Sequence, residues 1–121
     1  MKKTILLVED ERILSDMYKD KLELSGFEVF SAFDVEEAIK SALKVKPDLI
    51  LLDILLPGED GISFLEKMRA DERLASIPVI AFSNFDDPQT KIDAQRLEVK
   101  DYLIKTDYTP QEIVDKIKEY L

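Results

Sequence analysis

Five short apolar runs punctuate the chain, and between them apolar residues recur at helical rather than alternating spacing. The runs are Ile5-Leu6-Leu7-Val8, Val29-Phe30-Ser31-Ala32, Leu49-Ile50-Leu51-Leu52, Pro78-Val79-Ile80-Ala81-Phe82 and Asp101-Tyr102-Leu103-Ile104. The third is continuous and bounded by Pro47-Asp48 and Pro57-Gly58. That form fits a strand buried on both faces of a parallel sheet. Ile13, Leu14, Met17, Tyr18, Leu22 and Leu24 predict a first helix, stopped by Gly26 with Phe27 as its apolar contact. Asp34-Val35-Glu36-Glu37 has the form of a capping box, with Phe33 placed to staple onto Ala38, and a second helix is expected from Val35 to about Lys46. Pro57-Gly58-Glu59-Asp60-Gly61 is turn chemistry, and Phe64, Leu65 and Met68 mark a third helix.

Asp87-Pro88 opens a fourth helix through about Leu97. Its apolar face is thin, limited to Ile92, Ala94 and Leu97, so it is expected to be the most weakly held. Thr109-Pro110-Gln111-Glu112 repeats the cap-and-proline signal and opens a last helix with Ile113, Val114, Ile117 and Leu121 facing inward. Strand and helix thus alternate five times, which predicts an α/β fold with parallel strands, right-handed crossovers and helices on both faces of the sheet. No linker, low-complexity tract or tandem repeat interrupts residues 1–121, so one domain is expected.

Composition narrows the chemistry. The chain contains no cysteine and no histidine, which excludes disulfides, thiol nucleophiles, imidazole bases and the usual structural zinc sites. Carboxylates, hydroxyls and lysines remain. A formal charge of −9 argues against a nucleic-acid surface, since duplex affinity comes largely from lysine and arginine. Lys2-Lys3 and the short apolar run after them lead straight into Glu9-Asp10-Glu11, unlike a signal peptide. No run approaches the roughly 18 to 20 apolar residues of a membrane span, and the expected location is cytoplasmic.

The candidate chemistry lies at the ends of the strands. The first, third, fourth and fifth end in Glu9-Asp10, Asp53, Ser83 and Lys105, and in an open parallel sheet all of these gather at one edge, where such sheets bind ligands. Singly, each has an ordinary reading: Asp53 as a turn or cap residue, Ser83 as a capping hydroxyl, Lys105 as a solvated charge. Their coincidence is what points to a site. Carboxylates about 4 Å apart repel by about 4 kcal/mol per pair at an effective dielectric near 20, so three together want a cation. An all-oxygen set suits a hard ion, Mg²⁺ or Mn²⁺. A lysine and a hydroxyl opposite supply the positive charge and the donor that a phosphoryl group requires, which describes phosphoryl transfer to a carboxylate.

Val8-Glu9-Asp10-Glu11, Asp48 to Asp53 with Leu56-Pro57 and Gly61, Pro78 to Ser83, and Asp101 to Lys105 together resemble a response-regulator receiver domain of bacterial two-component signalling, in the stand-alone chemotaxis-type form. The resemblance covers the whole chain. It implies a flavodoxin-like sheet of order 2-1-3-4-5 and a phosphoacceptor, rather than an enzyme, that promotes its own phosphorylation and dephosphorylation. It implies Asp53 as the phosphorylated residue, metal held by Asp10, Asp53 and the Leu55 carbonyl with Glu9 acting through water, Ser83 and Lys105 on the phosphoryl oxygens, and Tyr102 as an aromatic switch. Implied partners are a histidine kinase or phosphotransfer protein and a downstream protein target, with the chain a monomer or a phosphorylation-dependent dimer. The switch would act on the surface of helix four, strand five and helix five. Since the sequence stops in its last helix, output is expected through protein contacts, unless the chain belongs to a larger regulator.

Four departures from the family pattern set further expectations. Thr106 follows Lys105 where a cis proline is common; a cis bond before a non-proline residue costs about 2.5 to 4 kcal/mol, so the geometry of the Lys105–Thr106 bond is open. Asn84 replaces a small alanine and crowds the phosphoryl site. Leu55 and Phe85, both apolar, flank the path of attacking water and predict slow hydrolysis of the phosphorylated form. Glu98 takes a glycine position after helix four, predicting a different helix end. Three other readings compete. A docking module independent of phosphorylation would have a damaged acidic site, whereas here it is intact. An aspartate-nucleophile phosphatase needs an acid two residues after the nucleophile, where Leu55 stands. A flavodoxin-like cofactor binder needs a phosphate loop after the first strand.

Overall fold

A computed structural model describes residues 2–56, 58–84 and 86–121; Met1, Pro57 and Phe85 lie outside the described residues. Five strands, β1 (Thr4–Val8), β2 (Glu28–Ala32), β3 (Leu49–Asp53), β4 (Val79–Ser83) and β5 (Asp101–Ile104), alternate with α1 (Arg12–Leu24), α2 (Val35–Val45), α3 (Gly61–Ala70), α4 (Pro88–Arg96) and α5 (Pro110–Glu119). All strand pairs are parallel, in the order β2-β1-β3-β4-β5. This is the doubly wound, flavodoxin-like arrangement expected from the sequence.

The period-two geometry of a strand sends successive side chains to opposite faces, and the core divides accordingly. Leu6, Val8, Ile50, Leu52, Val79 and Ala81 pack with α2, α3 and Ala94 of α4. Ile5, Leu7, Leu49, Leu51, Ile80 and Phe82 pack with Tyr18 and Leu22 of α1 and with Ile113, Val114 and Ile117 of α5. β3 and β4 are buried along their whole lengths, as continuous apolar runs require.

Helix ends follow the sequence signals closely. At the end of α1, Gly26 adopts φ +97° while its N–H donates to Glu23 O and the Phe27 N–H donates to Leu22 O, the paired bonds of a Schellman stop. Thr109 and Glu112 form a reciprocal capping box on α5, and Asp87 and Asp60 accept from the third amides of α4 and α3. In α2, Asp34 accepts from the Glu37 N–H, and helix ends one residue before Lys46, which caps it at φ +52°.

One expected inward residue turns outward: Leu121 lies beyond the end of α5 and is exposed. On α1 the buried stripe runs through Ser15, Tyr18 and Leu22, which leaves Ile13 and Leu24, also at helical spacing, 86% and 88% exposed. Ile92 is also largely exposed, leaving Ala94 as the one fully buried residue of α4 among those described. No helix among the described residues is long and apolar enough to cross a membrane.

Candidate functional site

The strands deliver their chemistry to one edge of the sheet. β1 runs into Glu9, whose N–H donates to Ala32 O at 3.1 Å and so prolongs the β1–β2 pairing past the last strand residue. β3 ends in Asp53, in register with Phe82 of β4, and Ser83 is in register with Ile104. Glu9, Asp53 and Ser83 are buried polar groups, while Asp10 is exposed. One carboxylate oxygen from each of Glu9, Asp10 and Asp53 lies within 4.8 Å of the others.

Lys105 closes the group. It begins a 3₁₀ turn, Lys105–Asp107, directly after β5, and its side chain is 7% exposed. The ammonium donates to Glu9 Oε1 and Oε2 at 3.2 Å each and to Asp53 Oδ2 at 3.2 Å. It also stands 4.5 Å from the centroid of the Phe82 ring. No cis peptide occurs among the described residues, so Lys105 reaches Asp53 through an all-trans turn with Thr106 in place. Asp53 uses its other oxygen to accept from the Leu55 N–H at 3.0 Å, which bends the chain out of β3.

The bend is set by an approach that only glycine permits. The Gly61 N–H donates to Ile54 O at 2.7 Å, and a Cβ on Gly61 would lie 2.7 Å from Ile54 Cα and 2.9 Å from Asp53 O. The first residue of α3 therefore rests directly on the end of β3. Gly61 belongs to the motif legible in the sequence; the reason for it, backbone contact, is visible only in three dimensions.

Electrostatically the site is short of positive charge. Burial, then the hydrogen bond and repulsion from Asp53, push the Glu9 carboxyl up to about 9, against the pull of Lys105. One ammonium does not offset two buried carboxylates. The donors are all oxygen, with no nitrogen or sulfur ligand, and the excess of negative charge fits a hard divalent cation rather than a soft one.

Tyr102 lies with its ring inside the structure, 8% exposed. Its hydroxyl is buried and, among the described residues, completes no hydrogen bond of ordinary geometry. Burial raises its pKa, while the nearby Ser83 side chain acts in the other direction. Of the two apolar positions expected to flank the site, Leu55 is 46% exposed, and Phe85 lies outside the described residues. Phe82 and Tyr18 read from the sequence as core residues; the register of β4 with β3 brings Phe82 level with Asp53, and Tyr18 packs against the Phe82 ring.

A family model, the response regulator receiver domain, matches residues 5–118. The chain belongs to that family. As a receiver it is 35% identical over 119 residues to the phosphate regulon transcriptional regulatory protein PhoB of Pseudomonas aeruginosa, covering 98% of this chain and 52% of the relative. It is 36% identical over 121 residues to the alkaline phosphatase synthesis transcriptional regulatory protein PhoP of Bacillus subtilis, covering 100% of this chain and 49% of that one. The receiver thus spans about half the length of these curated relatives. Among solved structures, the phosphorylated cyanobacterial phytochrome response regulator RcpA matches with a TM-score of 0.85 at 30% identity, covering 99% of this chain and 94% of that one. The chemotaxis response regulator CheY4 of Vibrio cholerae, at 23% identity and a TM-score of 0.91, covers 100% of both chains and shares the fold.

Proposed function

We propose that this receiver accepts a phosphoryl group on Asp53, from a phosphohistidine of a kinase or phosphotransfer protein or from a small acyl phosphate. One observation carries the reading: a buried ammonium, Lys105, is held between Asp53 and Glu9 at the edge where Asp10 also lies. In the reaction an Asp53 oxygen forms a bond to phosphorus as the bond from phosphorus to the donor's nitrogen or oxygen breaks, and the donor leaves with the electron pair. Lys105 offsets charge that spreads over the equatorial oxygens, acting in a water-poor pocket where a fixed charge counts for more than in solvent. Asp10, Asp53 and the Leu55 carbonyl would hold Mg²⁺ or Mn²⁺, with Glu9 contributing through water. The ion supplies charge neutralisation and alignment of the phosphoryl oxygens. Lys105 and Ser83 would hold those oxygens afterwards. The chain is then a phosphoacceptor rather than an enzyme with a turnover substrate, and a cytoplasmic location suits its partners.

Switching would follow from the contact between Ser83 and Tyr102. Drawing the Ser83 hydroxyl toward a phosphoryl oxygen changes what the buried Tyr102 hydroxyl meets, and the ring's inward population shifts the α4, β5 and α5 surface. That surface would be read by a downstream protein, in a monomer or in a phosphorylation-dependent dimer. Incubation with acetyl phosphate and Mg²⁺ should give an acid-stable, base-labile adduct, and Asp53→Asn should abolish it. A chain that stays unmodified while folded would point instead to a docking module. The apolar Leu55 does not orient water, so the adduct should decay slowly; Leu55→Glu or Leu55→Gln should speed its loss severalfold, measured as release of inorganic phosphate.

A further inference from the structure

The sheet order sets a problem for Lys105. β5 is separated from β3 by β4, and at about 4.8 Å per strand the ammonium must cross roughly 10 Å of sheet edge to meet Asp53. Its stem therefore passes over the end of β4, where the residue in register with both Asp53 and Leu103 is Phe82. The ammonium stands 4.5 Å from the centre of that ring. The ring is itself held: Tyr18 of α1 meets it edge-on, with centroids 5.4 Å apart and planes at 82°, and both residues are buried.

We infer that Phe82 is a positioning residue for the phosphoryl-transfer site, an aromatic seat that holds the Lys105 ammonium facing Asp53; the inference rests on the function proposed above. The chemistry of the two groups supports this division of labour. A lysine stem is long, flexible and rich in rotamers. Its ammonium donates to Glu9 and Asp53, and the negative face of an aromatic ring attracts the cation without competing as a hydrogen-bond acceptor. Since the Lys105 side chain is 7% exposed, this attraction acts in a desolvated setting, where it is strongest. An aliphatic residue at 82 would fill most of the core volume and offer no such face. Tyr18, packed edge-on, fixes the tilt of the seat.

The test separates ring electrostatics from packing. Site-specific replacement of Phe82 by mono-, di- and trifluorinated phenylalanine keeps the shape nearly constant while draining charge from the ring face. Phe82→Leu removes the face altogether. Phosphorylation by acetyl phosphate at saturating Mg²⁺ should slow stepwise along the fluorinated series, reaching about tenfold at Phe82→Leu, the factor equivalent to about 1.4 kcal/mol in the barrier. In parallel, the Lys105 side-chain methylene resonances of the wild-type chain should carry a ring-current shift that Phe82→Leu abolishes. Denaturation curves establish that each variant is folded. Equal rates across the series, or Lys105 resonances at ordinary lysine positions, would overturn the seat. Ring-shifted Lys105 resonances in a wild-type chain that never forms an adduct would instead overturn the phosphoacceptor reading, so the two failures are distinguishable.

Discussion

Gly61 shows how little room separates Asp53 from its supporting helix. Its missing Cβ lets α3 begin against Ile54 Cα and Asp53 O, both backbone atoms and so unable to rotate away. Adding one methyl must move either the start of α3 or the end of β3. Overpacking of this kind typically costs about 1 to 3 kcal/mol. Gly61→Ala should therefore lower stability by about that amount in urea denaturation, and should slow phosphorylation among the molecules that remain folded, because Asp53 moves with the strand end. Gly58, with φ +76° and open space around it, needs glycine for its backbone angle instead. Gly58→Ala should affect stability and leave the Asp53 geometry alone. A Gly61→Ala variant that retains both wild-type stability and rate would refute the contact.

At the level of elements, α4 stands apart. Its single fully buried residue among those described is Ala94, and the two ends are held by different means. Asp87 caps the N-terminus. At the other end, Arg69 of α3 donates to Leu97 O at 2.8 Å and Glu98 O at 3.3 Å, and also to Ala75 O and Ile77 O of the α3–β4 connection. The α4 stop is a Schellman turn, Glu98 N–H to Gln95 O and Val99 N–H to Ala94 O, with Glu98 itself at φ +65°. The expected difference at this helix end is thus one of strain rather than of hydrogen bonding: a glutamate occupies the angle glycine tolerates. Non-glycine residues in that region cost on the order of 1 kcal/mol. Glu98→Gly should raise the unfolding free energy by about 0.5 to 1 kcal/mol, measured by urea denaturation, and a decrease would contradict it. The thin face of α4 was legible because apolar spacing reports burial directly. The caps Asp34, Asp87 and Thr109 were equally legible, since each acts on a neighbour within three positions, whereas Asp60 read only as part of a turn. The exposure of Ile13 and Leu24 was not legible, because they too sit at helical spacing on α1, and which stripe faces inward depends on how that helix rolls against β2 and α5.

For the molecule as a whole, strand ends were easier to read than the contacts among them. Parallel βα units bring every strand's carboxyl end to one edge whatever the details, so Glu9, Asp10, Asp53, Ser83 and Lys105 could be grouped from their places in the chain alone. The Phe82 seat, the Gly61 contact and the Arg69 tie could not, because each joins segments whose adjacency depends on register or crossover. The grouping has a consequence for stability. Glu9 is ionised in the unfolded chain above its ordinary value of 4.5, whereas in the folded chain burial and Asp53 hold it up to about 9. Between those values the native state binds a proton that the unfolded state does not, so the unfolding free energy falls as pH rises, by at most about 1.4 kcal/mol per pH unit from this group. Below 4.5 both states are protonated and the slope from Glu9 vanishes. In EDTA-containing buffer, denaturation midpoints should therefore decline from pH 5.5 to pH 8.5, and Glu9→Gln should flatten the decline. Adding Mg²⁺ favours the ionised carboxylates, so the stabilisation it confers should grow with pH across the same window. A midpoint that rises with pH in the absence of metal, or one whose slope Glu9→Gln leaves unchanged, would mean that the buried glutamate is already charged and that Lys105 suffices to hold both carboxylates.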